Sequence, residues 1–177
     1  MADAPNAAAE PNWREEVYQA LKELEIKQVH FVPDAGHSHV IDRCLADPAI
    51  EAGMLANEFE SVGVCCGAWL GGQRAAMLMQ SSGIGNITHA MGLATSGRFP
   101  FFAVITMRGE WGEFNPWQLH GGQSAEKMLD AAGVITMRAN YAHEVADMVL
   151  AGARLAFNSY CPVAVLIGQR VIGAKVF

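Results

Sequence analysis

"AAMLMQSSGIGN", residues 75–86, is the stretch whose reading decides the fold. Residues 75–80 are apolar at successive as well as alternate positions, which predicts a strand covered on both faces. SSGIGN is a run of small residues that turns the chain into a helix over about 87–97. A strand buried on both sides and followed at once by a helix is the repeating unit of a parallel sheet. The same unit recurs in both directions. Upstream, Asn12 is placed to cap a helix beginning at Trp13, with Val17, Leu21 and Leu24 on one side. QVHFV (28–32) reads as a strand that ends at Pro33, SHVIDRCLA as a helix, EAGMLAN (51–57) as a short strand, and residues 58–70 as an apolar helix. Downstream come a strand at FFAVITM (101–107), a long polar connection over 108–122, a helix over 123–132, a strand at 134–137, a helix over 142–157 and a last strand, PVAVLI (162–167). The order predicts an α/β fold, doubly wound, with a mainly parallel sheet and helices on both faces. Sites in such folds lie at the carboxyl ends of the strands. Segments 33–39, 57–60, 80–86 and 108–120 all follow a predicted strand, so they are expected to converge on one rim.

A chain of 177 residues suits one compact domain, expected over 13–177 after an Ala/Pro-rich flexible tail at 1–12. Hydrophobic residues make up 51% and charged residues 17%, an apolar excess that points to an oligomer. The net charge of −6, with no Lys/Arg cluster, speaks against nucleic acid as a partner. No run is long and apolar enough for a membrane span, and no secretory leader is visible. The cysteines Cys44, Cys65, Cys66 and Cys161 lack CxxC spacing; they read as small reduced core residues of a cytoplasmic protein, not as a zinc site.

Four segments carry candidate chemistry. SSGIGN offers free N–H groups between a strand and a helix, which suits an anion; it reads equally as a tight turn with glycines at positive φ. It lacks the third glycine of a dinucleotide fingerprint and the lysine of a P-loop. In VPDAGHSHV (32–40), Asp34, His37 and His39 have the residue types of a metal site, but Asp34 or Ser38 could simply cap a helix beside solvated histidines, and substrate contact is a third reading. RGEWGEFNPWQLHGG (108–122) has the length and aromatics of a lid or interface. Within it Arg108 is placed to grip an anionic substrate, or else to form a surface pair with a Glu. In NEFESVGVCCGAWLGG (57–72), Glu58 and Glu60 stand at the mouth of an apolar helix. A carboxylate there is favoured by the helix dipole, and it is costly once buried unless something pairs with it or uses it.

LKELEIKQVHFVP, NEFESVGVCCGAWLGG and AMLMQSSGIGN, followed by MRGEWGEFNPWQ, resemble the pyrimidine-binding (PYR) domain of thiamine-diphosphate enzymes, with most likeness to sulfopyruvate decarboxylase alpha subunits and phosphonopyruvate decarboxylases. The resemblance covers about residues 13–168. It implies that Glu58, counted back from Gly67, is the glutamate that donates a hydrogen bond to the cofactor's aminopyrimidine ring nitrogen. That bond favours the tautomer that removes the thiazolium C2 proton, and the thiazolium then serves as electron sink for loss of CO₂ from a 2-keto acid. An apolar surround disfavours the charged form of a carboxyl, which suits a proton donor. Asn57 stands where related families often have His. The resemblance further implies that Gln80, Ser81, Ser82, Gly83 and Asn86 line the cofactor, and that Asp34, His37, Arg108 and His120 lie on the substrate side, with no metal ligand on this chain. No GDG…N stretch is present, so Mg²⁺ and the diphosphate are expected on a partner, a beta subunit carrying the diphosphate-binding (PP) domain. The implied activity is that of the alpha subunit of a hetero-oligomeric decarboxylase acting on a short anionic 2-keto acid such as 3-sulfopyruvate or 3-phosphonopyruvate. A carboligase or synthase half-subunit is one alternative; a non-catalytic anion-binding α/β module is another.

Overall fold

The computed structural model describes residues 12–174. The expected tail lies outside the described residues except for Asn12, which caps the first helix by accepting from Glu15 N–H at 3.4 Å. That helix, α1 (Trp13–Glu23), is followed by β1 (Ile26–Phe31), α2 (Ser38–Ala46), β2 (Glu51–Met54), α3 (Glu58–Leu70) and β3 (Arg74–Gln80). After a single 3₁₀ turn at Ser81–Gly83 come α4 (Ile84–Thr88), α5 (Met91–Gly97), β4 (Phe101–Thr106), α6 (Pro116–Ala131), β5 (Ile135–Ala139), α7 (Val145–Ser159), β6 (Pro162–Ile167) and α8 (Gln169–Ile172).

The six strands form one sheet in the order β2-β1-β3-β4-β6-β5, and every pairing is parallel. The doubly wound α/β expectation holds. β4 shows why the central strands are apolar throughout. Successive side chains of a strand point to opposite faces. Phe102 and Val104 enter a core with α1, α2 and α7, whereas Phe101, Ala103 and Ile105 enter a second core with α3, α4, α5 and α6. Each fully buried Phe contributes about 1.5–3 kcal/mol of transfer free energy, so both faces of the strand are anchored. Gly152 lets α7 lie close on the sheet: a Cβ there would meet Val165 Cγ2 at 2.8 Å.

Two expectations need correction. The polar connection after β4 ends at Asn115, because α6 starts at Pro116 and not near 123. Asn115 caps it by accepting from Trp117 N–H at 3.1 Å, and proline at the first helical position needs no amide partner. The helix after SSGIGN begins at Ile84 and is interrupted around His89–Ala90. The four cysteines are free, and burial pushes the Cys44 thiol up to about 12. Among the described residues no helix is long and apolar enough to cross a membrane.

Candidate active site

The chain leaves β1 towards β2 on one side and β3 towards β4 on the other, so the β1/β3 boundary is the switch point of this sheet. The loops beyond the carboxyl ends of β1, β3 and β4 meet there, around Asp34. Its Oδ1 accepts from Gln80 Nε2 at 3.0 Å and Arg108 Nη2 at 2.9 Å. Its Oδ2 accepts from Thr106 Oγ at 2.6 Å and from Gly36 N–H at 3.0 Å. Burial alone would lift the Asp34 carboxyl, but the bonds from Thr106 and Gln80 and the Arg108 charge outweigh it and hold the group below the usual carboxylate range. Arg108 therefore pairs with a buried aspartate, not with a surface glutamate, and its Nη1 donates to Met107 O at 3.0 Å.

Gln80 joins the loops into one unit. Its Oε1 accepts from Ser82 Oγ at 2.8 Å and from Gln118 Nε2, on α6, at 3.1 Å. Glu113 and Gln169 are central to holding the 108–115 connection. Glu113 accepts from the N–H groups of Gly109 and Asn115 and from Gln169 Nε2. Buried Gln169 in turn accepts from the N–H groups of Glu110 and Trp111. Asp34, Gln80, Arg108, Gln118, Gln169 and Arg14 line a cavity of about 420 Å³.

Beside the cavity, across the Ser81–Gly83 turn, lies Glu58. It is the first residue of α3 yet only 8% exposed, because its side chain folds back over the turn. Gly83 adopts an ordinary helical conformation, so positive φ does not explain it. Space does: a Cβ on Gly83 would come within 2.4 Å of the Glu58 carboxyl carbon and Oε1. Asn86 Nδ2 donates to Glu58 Oε2 at 2.8 Å, and Oε1 has no hydrogen-bond partner among the described residues. The neighbouring acid has a different task. Glu60 Oε2 accepts from Ala56 N–H at 3.2 Å while Asn57 accepts from Phe59 N–H at 2.9 Å, so together they cap the helix.

Other sequence-selected residues fall elsewhere. His37 does not line the cavity: it is fully buried, Nε2 bonds Val104 O at 3.0 Å, and desolvation lowers its pKa to about 4. His39 bonds Glu15 Oε2 at 2.8 Å, so it does not join Asp34 and His37. His120 is on the exposed side of α6, away from Gln118, because positions two apart on a helix face opposite ways. Ser81 is buried and its Oγ accepts from Arg108 N–H at 3.0 Å, so its hydroxyl braces the loop after β4. Sequence reading missed Arg14, Thr106, Gln118 and Gln169. The cap signal Asn115-Pro116 would have located Gln118 on a helix; Arg14 carried no signal of its own.

The site thus has a protected carboxyl at the mouth of a helix, one oxygen bonded to Asn86, beside a polar cavity at the switch point of the sheet. The family model described as pyruvate flavodoxin/ferredoxin oxidoreductase, thiamine diphosphate-binding, matches residues 34–175, and the chain belongs to this family. Among curated proteins, it is 32% identical over 157 residues to the sulfopyruvate decarboxylase subunit alpha of Methanococcus maripaludis, covering 88% of this chain and 94% of that one. It is 35% identical over 101 residues to the phosphonopyruvate decarboxylase of Streptomyces viridochromogenes, covering 56% of this chain and 25% of the other. Among solved structures, the 2-oxoglutarate:ferredoxin oxidoreductase of Magnetococcus marinus superposes with a TM-score of 0.71 at 17% identity, covering 90% of this chain and 29% of that one, a likeness of fold.

The residues present fit the aminopyrimidine end of thiamine diphosphate. The glycine cradle keeps the Glu58 carboxyl in place, and the chemistry of that group, an acid with an unpartnered oxygen, suits a ring nitrogen.

Proposed function

We propose that this chain is the alpha subunit of a cytoplasmic, hetero-oligomeric thiamine-diphosphate-dependent decarboxylase, with residues 13–177 as its PYR domain. The substrate is a short 2-keto acid with a second anionic group, such as 3-sulfopyruvate or 3-phosphonopyruvate, and the products are CO₂ and the corresponding aldehyde. The observation that carries the reading is the Glu58 carboxyl seated on Gly83, with Oε2 tied to Asn86 and Oε1 left to a ligand.

Bound thiamine diphosphate supplies the electron sink for the loss of CO₂. This chain's residues hold protons and orient groups around it. Glu58 Oε1 is the atom that would hold a proton for the aminopyrimidine ring nitrogen. Asn86 donates to the other oxygen, a bond strongest when the carboxyl is ionised, so it also steadies Glu58 after the proton has left. Gln80, whose Oε1 accepts from Ser82, continues the same wall into the cavity, where Arg108, fixed by Asp34, presents positive charge to the keto acid.

A partner subunit carrying the PP domain and its Mg²⁺ completes the site. In support, three relatives are named as alpha subunits, and Met54, Phe59 and Trp117, beside the carboxyl rim, are 70%, 52% and 89% exposed. Large apolar groups left open in this way suit a second protein surface.

The test is co-purification with the chain encoded beside it, followed by a panel of 2-keto acids with aldehyde detection. The assembly is expected to turn over 3-sulfopyruvate or 3-phosphonopyruvate. Glu58→Gln is expected to abolish turnover with an unchanged circular dichroism spectrum and melting temperature. Near-normal turnover by that variant removes Glu58 from the mechanism.

A further inference from the structure

The cavity beside Glu58 has four charged side chains in its wall, and three of them are accounted for. Asp34 and Arg108 are paired with each other. Glu113 has both oxygens taken by Gly109, Asn115 and Gln169. The fourth, Arg14, has no carboxylate partner among the described residues. Its Nε donates to Gly36 O at 3.3 Å, which aims the guanidinium across the Pro33–Gly36 loop, and its outer nitrogens bond nothing among the described residues. The guanidinium carbon lies 4.3 Å from the centre of the Trp13 ring, which braces the group from one side. Arg14 is half-buried, and desolvation lowers its pKa against the pull of Asp34. An unpaired, partly dehydrated, braced guanidinium facing a cavity is a receptor for an anion with several oxygens.

We propose that Arg14 sets substrate specificity by binding the second anionic group, the sulfonate or phosphonate, of the keto acid. The assignment rests on the functional reading above and adds a residue to it. Arg108 is less suited to this task, because one of its terminal nitrogens is engaged by Asp34 and the other by Met107 O. Gln80 lines the cavity and continues directly into the Ser81–Gly83 turn beneath Glu58, whereas Arg14 enters from α1 on the far side of the Asp34 loop. A short chain with an anion at each end therefore places its keto carbon towards Gln80 and its remote anion towards Arg14. At about 420 Å³ the cavity holds such a molecule with room to spare.

The test compares two probes of similar length, 3-sulfopropanoate and butanoate, by titration calorimetry on the full chain. It also compares 3-sulfopyruvate and 2-oxobutanoate as substrates of the full assembly. Arg14→Gln is expected to lower the preference for the sulfonate about ten- to a hundredfold, as befits loss of a charge-assisted hydrogen bond. The loss should appear mainly in KM, and Arg14→Lys should recover part of it. Equal weakening of both probes, an unchanged preference in Arg14→Gln, or a wild-type chain that does not distinguish the probes each overturns the assignment. Should Arg14→Gln fail to fold, the Lys variant carries the same comparison. Arg14-dependent sulfonate binding in an assembly that decarboxylates no 2-keto acid supports the subsite and removes the decarboxylase reading alone.

Discussion

Gly83→Ala separates the aim of the Glu58 carboxyl from the integrity of the fold. The new methyl group would stand 2.4 Å from the carboxyl carbon and Oε1 of Glu58 and 2.5 Å from its Cγ, where ordinary contact begins at 3.4 Å. The difference requires a displacement of about 1 Å, and the end of a flexible side chain is what yields. The backbone itself accepts alanine, since Gly83 has φ −84° and ψ −7°. Removing a glycine from the unfolded chain contributes about 0.4–1 kcal/mol of stability. Forcing Glu58 off its preferred rotamer costs about 0.5–1.5 kcal/mol. The two nearly cancel, so the denaturation midpoint should move by less than about 1 kcal/mol equivalent. A 1 Å misplacement of a reacting group costs about a hundredfold in rate, and the bond to Asn86 is strained as well. The assay is urea denaturation of the chain beside kcat/KM of the assembly. Wild-type turnover in Gly83→Ala refutes the reasoning. A loss of stability of about 3 kcal/mol or more also refutes it, since the carboxyl would then not be the compliant partner.

Two further substitutions probe the frame around the site. The proton affinity of His37 is depressed to about 4 by desolvation, so between there and about 6.5 the folded state binds fewer protons than the unfolded one. Stability is then full above about pH 6.5 and declines as the pH falls towards 4, by up to about 3 kcal/mol. His37→Gln should flatten that decline in denaturation midpoints measured from pH 7.5 to 4.5, and parallel curves for the two proteins would count against it. Gly122→Ala would place a Cβ 1.7 Å from Arg108 O, a backbone atom that cannot step aside. A cost of about 3 kcal/mol and a melting temperature lower by about 6–12 °C are expected; a shift within 2 °C contradicts the close approach of α6.

Much of the frame was readable from residue order. α2, α3 and β6 fall on the expected residues, since each is bounded by turn or capping residues and is uniformly apolar or helical in pattern. Glu58, Asp34, Gln80 and Arg108 were readable as site candidates because each follows a strand of a parallel sheet, which sends such residues to one rim. What pattern alone does not carry is the direction in which a side chain points. His37 and Ser81 occupy the same rim segments but turn inward to Val104 O and Arg108 N–H. The start of α6 was hidden by Gly121-Gly122, which look like loop residues. Gly122 is required by the Arg108 carbonyl, a neighbour distant in sequence. Arg14 escaped because it precedes the first strand. A helix that runs antiparallel to β1 nevertheless begins at the carboxyl rim, beside Gly36.

The short connection from β2 to α3 has a consequence for how such a protein can change. Leu55 N–H is bonded to Phe31 O at 2.8 Å and Ala56 N–H to Glu60, so residue 58 is bolted to the sheet. The cavity wall, by contrast, draws on loop 108–115 and the ends of α1, α6 and α8 besides the Pro33–Gly36 loop and Gln80, and those first four elements do not hold that bolt. Mutational drift or laboratory retargeting towards a new keto acid can rework that wall residue by residue while the acid keeps its bearing.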